Sequence, residues 1–82
     1  MYIDKIILAD SNSPEYNRAI VTKTYNGYII ETITGNGNSL YISSVYNNRV
    51  TLVTDYTHAR GYSYNIAIKH AKNILQGVYV YD

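Results

Sequence analysis

Asp55, His58 and His70 are the residue types that acid–base or metal chemistry requires. An imidazole moves protons near neutral pH and ligates transition metals, and a carboxylate can orient it. The spacing does not complete a site. There is no H-E-x-x-H pattern, no cysteine and no third obvious ligand. His58 falls in a loop and His70 on a helix, so both are assigned surface or structural roles. Asp4, Asp10, Glu15, Glu31, Asp55 and Asp82 stand singly, and no close carboxylate pair serves glycosidic chemistry. The run Gly35-Asn36-Gly37-Asn38 lacks the full dinucleotide fingerprint and no helix follows it. It reads as a polar hairpin connection long enough to contact a partner. The chain is therefore expected to be a non-enzyme with no catalytic residue, no metal and no cofactor.

Binding chemistry is better represented. The chain has eleven tyrosines and neither phenylalanine nor tryptophan. A tyrosine ring buries much like phenylalanine, but its hydroxyl wants a partner or water. Rings chosen this way are expected near solvent or near another molecule, and tyrosine is enriched both in strands and in interfaces. The segment Tyr56-Thr57-His58-Ala59-Arg60-Gly61-Tyr62 combines aromatics, arginine and histidine ahead of a helix. Three readings apply to it: an ordinary connection with half-buried tyrosines, a protein-binding hot spot, or a grip on single-stranded nucleic acid. The candidate binding residues are Tyr46, Arg49, Tyr56, Arg60 and Tyr62.

These residues need a scaffold, and the hydropathy pattern supplies one. Tyr2 to Ala9 reads as a strand that ends at the turn-forming run Asp10 to Pro14. Arg18–Tyr25 and Tyr28–Thr34 form a hairpin around Asn26-Gly27, the strongest short turn signal. A two-residue loop there sets Tyr25 opposite Tyr28. It puts Val21 and Ile30 on one face and Ile20, Ile29 and Ile33 on the other. Leu40–Tyr46 and Arg49–Tyr56 form a second hairpin around Asn47-Asn48, with Tyr46 opposite Arg49 as a cation–π pair. Ser63 caps a helix whose apolar face is Tyr64, Ala67, Ile68, Ala71, Ile74 and Leu75, and Gly77 ends it. Val78 to Tyr81 alternates as a last strand. The order β-ββ-ββ-α-β defines a single α+β domain over residues 1–82. Its sheet is mostly antiparallel, two hairpins plus terminal strands, packed by one helix in the C-terminal half.

Composition narrows the class. Eighty-two residues suffice for one small core. Seven basic and six acidic residues give a formal +1, and Lys5, Arg18, Lys23, Arg49, Arg60, Lys69 and Lys72 are scattered. That is unlike the clustered basic face of most nucleic-acid binders. Asp4 and Lys5 interrupt the N-terminal apolar run, so it does not read as a secretory signal. No stretch approaches transmembrane length. A cytoplasmic location and no membrane partner are expected, the host cytoplasm if the chain is phage-encoded.

Two hairpins followed by the pattern S-x-x-x-A-I-x-x-A-x-x-I, here Ser63, Ala67, Ile68, Ala71 and Ile74, resemble the plan of small phage and mobile-element accessory proteins. Some anti-CRISPR proteins and HicB-like antitoxins share this sheet-plus-one-helix arrangement. The resemblance is architectural and transfers no functional residues. Acidic DNA mimicry, the mode of several anti-CRISPR proteins, does not fit a near-neutral chain. The resemblance implies steric binding to an effector protein instead. The expected function is thus a non-enzymatic binding protein, a phage-encoded inhibitor of a host CRISPR-Cas complex. The alternatives are a single-stranded nucleic-acid-binding module and a HicB-like antitoxin-type interaction domain.

Overall fold

Alternation along the strands sorts the side chains onto two faces, and the helix meets only one of them. The computed structural model describes residues 5–81. It contains β1 (Lys5–Leu8), β2 (Tyr16–Thr24), β3 (Gly27–Thr34), β4 (Ser39–Tyr46), β5 (Arg49–Val53), a 3₁₀ turn at Tyr56–His58, α1 (Tyr64–Leu75) and β6 (Val80–Tyr81). The strands lie in sequence order in one sheet. Pairing is antiparallel from β1 to β5, and β6 joins β5 in parallel. This is the expected α+β architecture. The expected first strand extends over Tyr2 to Asp4, which lie outside the described residues.

On the covered face, Ala19, Val21, Ile30, Ile42 and Val50 are fully buried against Ala67, Ala71 and Ile74 of α1. Small side chains on both elements let the helix lie close to the sheet. Ala71→Leu is therefore expected to cost about 1–3 kcal/mol by overpacking. A melting temperature unmoved by that change would contradict the packing.

The helix boundaries follow from local chemistry. Ser63 holds the N-cap position in extended backbone, and its carbonyl accepts from Ala67 N–H at 2.9 Å. At the other end Gly77 adopts φ +70°. Its N–H donates to Ile74 O at 3.2 Å, while Val78 N–H donates to Asn73 O at 3.1 Å. These two bonds make a Schellman stop, with glycine at the left-handed position. The Leu75 carbonyl, also left over at this end, accepts from Asn12 N–H at 2.8 Å. That bond ties the β1–β2 connection to the helix.

Several details differ from the sequence reading. β6 begins at Val80 and not at Val78, Tyr64 of the expected apolar helix face is exposed, and the first hairpin and the fifth strand also depart from it. In the first hairpin Thr24 pairs with Gly27 and Lys23 with Tyr28, so Tyr25 and Asn26 form the turn. Tyr25 is thus not opposite Tyr28, although the two faces keep the expected residues. Gly27, at φ +114°, is held by a tertiary contact: a Cβ there would meet Tyr62 O at 2.9 Å. The fifth strand stops at Val53 rather than Tyr56. The Asp55 carboxylate accepts from Thr57 N–H at 3.0 Å and starts the 3₁₀ turn instead. The turn of the second hairpin is as expected. Asn47 and Asn48 have φ of 50° and 62°, and Tyr46 pairs with Arg49.

The ladder between β3 and β4 covers only Glu31–Ile33 and Ser39–Tyr41. Beyond it the strands part, and the segment Arg60–Tyr62 fills the wedge. Arg60 N–H donates to Ile42 O at 3.0 Å on one side. Tyr62 exchanges bonds of 2.8 and 2.9 Å with Tyr28 on the other. This splice leads the chain from one face of the sheet to the helix on the other.

Candidate binding surface

The face turned away from α1 carries an unusual amount of apolar surface. One cross-strand row runs Ile7, Ile20, Glu31, Tyr41, Val53 from β1 to β5. The next row is Lys5, Thr22, Ile29, and on the other side lie Arg18, Ile33 and Ser39. None of these apolar side chains belongs to the core cluster under the helix. Ile7 is exposed, Ile20, Ile29, Tyr41 and Val53 are half-buried, and Ile33 is sunk between its neighbours. An antiparallel sheet with one face in water is normally polar on that face.

A register shift between Ile42 and Ser44 keeps Val45 with Val50 on the helix side. Tyr46 and Arg49 therefore fall on the second face, at the far end of the β4–β5 hairpin. Tyr56 joins the same face from the 3₁₀ turn. Its ring lies 6.5 Å from that of Tyr41, centroid to centroid. Five residues of strand, about 17 Å, separate Tyr46 from Tyr41. Tyr46 and Tyr56 are both mostly exposed, at 74% and 64%. Burial, then the nearby Glu31 carboxylate, raises the Tyr41 phenol above its ordinary range, so it stays a neutral donor. A cleft of about 220 Å³ opens between the 3₁₀ turn and the first hairpin turn, with Tyr25, Ile29 and Tyr56 among its walls. Tyr25 is fully exposed there.

Arg60 and Tyr62 lie elsewhere. Tyr62 is opposite Tyr28 and packs on the helix side, with the Arg60 guanidinium 5.6 Å from its ring centre. Its hydroxyl is buried without a protein partner, and burial raises its pKa. The structure thus gathers Tyr46, Arg49 and Tyr56 on one face and leaves Arg60 and Tyr62 on the other. Tyr41, Tyr25 and the isoleucines of the second face were missed as site candidates. Their signal was present in the sequence as apolar residues at both parities of the hairpin strands.

The tyrosines do not all sit near solvent. Tyr16 and Tyr79 are core residues at 5% and 6% exposure. Tyr16 packs against Tyr81 with ring centres 5.1 Å apart. Tyr79 keeps its hydroxyl satisfied: Asn73 Nδ2 donates to it at 3.2 Å, and His70 Nδ1 lies 2.5 Å away. Since the Asn73 amide already donates, the arrangement fits a Tyr79 hydroxyl donating to a neutral imidazole.

His70 is thereby a structural residue in geometry. Its ring also meets Tyr62 edge-on at 4.9 Å. Burial, with a smaller push from Lys69, lowers its pKa from the ordinary 6.5. The unfolded chain consequently binds a proton in a range where the folded one does not. Stability is complete above about 6.5 and falls as pH drops through that value towards the lower folded pKa. Acidification from about pH 7 to 5 is expected to lower the melting temperature of the native chain more than that of His70→Gln. Identical pH profiles would show that this imidazole does not titrate with folding. His58 is exposed on the 3₁₀ turn, and Asp55 spends its carboxylate on the Thr57 cap, which lowers its pKa. Among the described residues no three His, Cys, Asp or Glu side chains converge on a metal-sized site.

Fold and surface together define a small α+β domain with one helix-covered and one bare, apolar sheet face. Comparison with protein-family models, with curated proteins and with solved structures gave no match. Among the described residues, no helix is long and apolar enough to cross a membrane.

Proposed function

We propose that this is a non-enzymatic binding protein that docks on a larger protein through the second face of its sheet. The observation that carries the reading is the row Ile7, Ile20, Glu31, Tyr41, Val53, apolar except for Glu31 at its centre and flanked by Tyr46, Arg49 and Tyr56, on the face that α1 does not cover. Apolar surface gathered in this way marks interaction sites, and tyrosine and arginine supply their anchors. The narrower reading takes its partner class from the resemblance to anti-CRISPR proteins: a CRISPR-Cas effector complex, blocked sterically. A formal charge of only +1, with the basic residues scattered along the chain, favours a protein over a phosphate backbone.

The test is titration of the purified chain into purified effector complexes, read by binding and by target cleavage. Binding that blocks cleavage and is lost in Tyr56→Ala supports both parts. Binding to another protein through the same face supports the general reading and removes the CRISPR one. Binding only to a single-stranded oligonucleotide, weakening steeply with salt, would replace both with a nucleic-acid module.

A further inference from the structure

We infer that the second face recognises an arginine side chain of its partner, at a site made by Glu31, Tyr41 and Tyr56. The inference rests on that face being the docking surface. Glu31 holds the centre of the cross-strand row, opposite Ile20 of β2 on one side and Tyr41 of β4 on the other. Ile29 and Ile33 share its face, two residues away along β3. Four uncharged side chains thus ring one half-buried carboxylate. Cross-strand neighbours commonly set an opposite charge against such a group, and here neither does. Arg18, the cation of the adjoining strand on this face, lies opposite Ile33 and is exposed. Among the described residues the Glu31 carboxylate has no hydrogen bond and no ion pair, and its field is felt by the Tyr41 phenol. A carboxylate among apolar side chains is costly unless it is paired. The partner it lacks inside the fold is a cation brought from outside.

The rings select which cation. The Tyr41 and Tyr56 ring centres are 6.5 Å apart with planes inclined at 59°, so the two form an angled pair beside the carboxylate. Tyr56 is 64% exposed, which leaves its ring open to an incoming group. The cleft of about 220 Å³ that has Ile29 and Tyr56 among its walls gives that group room. A guanidinium is planar and weakly hydrated. It lies flat on a tyrosine ring while its N–H groups bond a carboxylate at its edge. A lysine ammonium is a compact, strongly hydrated charge and fits this combination less well. Ile20, Ile29 and Ile33 around the carboxylate call for apolar residues on either side of the arginine.

Chemical-shift titration of the isotope-labelled full chain with a capped leucine-arginine-leucine peptide tests this. The control peptide carries citrulline in place of arginine, which keeps the shape and removes the charge. Shifts centred on Glu31, Tyr41 and Tyr56 are expected, with arginine bound about tenfold more tightly than citrulline. Glu31→Gln should abolish that preference. It should also melt no lower than the native chain, because no internal partner of the carboxylate is lost. Arginine and citrulline peptides that bind this face alike overturn the arginine site and leave the docking surface standing. No shift on this face with either peptide also overturns the site, while the docking surface is decided separately by the effector titration. A preference for arginine that survives Glu31→Gln, or a melting temperature lowered by that change, removes Glu31 from the role given to it and overturns the proposal.

Discussion

Gly61→Ala is expected to destabilise the protein by about 3 kcal/mol. A Cβ at Gly61 would stand 2.1 Å from Asn26 O and 2.7 Å from Asn26 C. Both are backbone atoms of the first hairpin turn, so no side chain can swing aside. Relief requires the Arg60–Tyr62 splice to move off β3, which loses the two bonds with Tyr28. Gly37→Ala is the control. Gly37 has φ +87° but nothing within 4 Å of its added Cβ, so only backbone strain of about 1–2 kcal/mol applies. Urea denaturation of the three proteins distinguishes the cases. If Gly61→Ala is no less stable than Gly37→Ala, the close crossing does not hold the splice in place.

The splice matters for the surface as well as for stability. It fixes where the chain leaves the 3₁₀ turn, and so where Tyr56 stands beside Tyr41. A loosened splice should therefore weaken partner binding even though Gly61 lies outside the proposed contact. That is a reason to measure folding and binding together on the same variant.

How much of this was legible depended on whether the deciding forces were local. The helix was, because Ser63, the 3.6-residue apolar period and Gly77 all act within one or two turns of chain. The Asn47-Asn48 turn was too, since left-handed backbone at both positions satisfies a type I′ hairpin without outside help. Asn26-Gly27 carried a stronger turn signal yet set a different pair register. Gly27 is required there by the approach of Tyr62, thirty-five residues later in the chain. Such a contact leaves no mark on local spacing. The end of β5 was misjudged for the opposite reason. The Asp55 cap is local, but the β-favouring run Thr51–Tyr56 masked it.

The candidate surface was half legible. The sequence separated Val21 and Ile30 from Ile20, Ile29 and Ile33, but not which set would be buried. The choice is made by packing, as the small Ala19 shares the buried cluster under the helix with Ala67 and Ala71. Once the helix takes that face, the other isoleucines are left on the uncovered one, with Ile7 exposed, Ile20 and Ile29 half-buried and Ile33 sunk between its neighbours. Tyr46, Arg49 and Tyr56 follow from hairpin and loop position; the register places Tyr46 and Arg49 on the second face, and the ring contact with Tyr41 places Tyr56 there. Arg60 and Tyr62 were chosen from the same loop, and the splice carries them through to the helix side. Tyr62 is thus expected to affect folding before it affects any partner.

Tyr56→Ala and Tyr46→Ala should each cost about 2 kcal/mol or more in partner binding, a loss of roughly thirtyfold, while leaving the fold intact. Both rings are mostly exposed, so truncation removes little internal packing. Tyr56 touches Tyr41 alone among the described aromatic rings, so a modest loss of stability is the most its removal should bring. Tyr62→Ala should behave in the reverse way. Its ring packs with the core, Arg60 and His70, so stability should fall first and binding only through the loss of folded protein. Arg49→Ala separates charge from aromatic contact, because it lies beside Tyr46 on the same face. The measurement is calorimetric affinity for the purified partner, with a thermal melt of each variant. Wild-type affinity in both Tyr46→Ala and Tyr56→Ala would move the contact off this face. An affinity lost in folded Tyr62→Ala but kept in the other two would place it on the helix side, where Arg60 and Tyr62 meet.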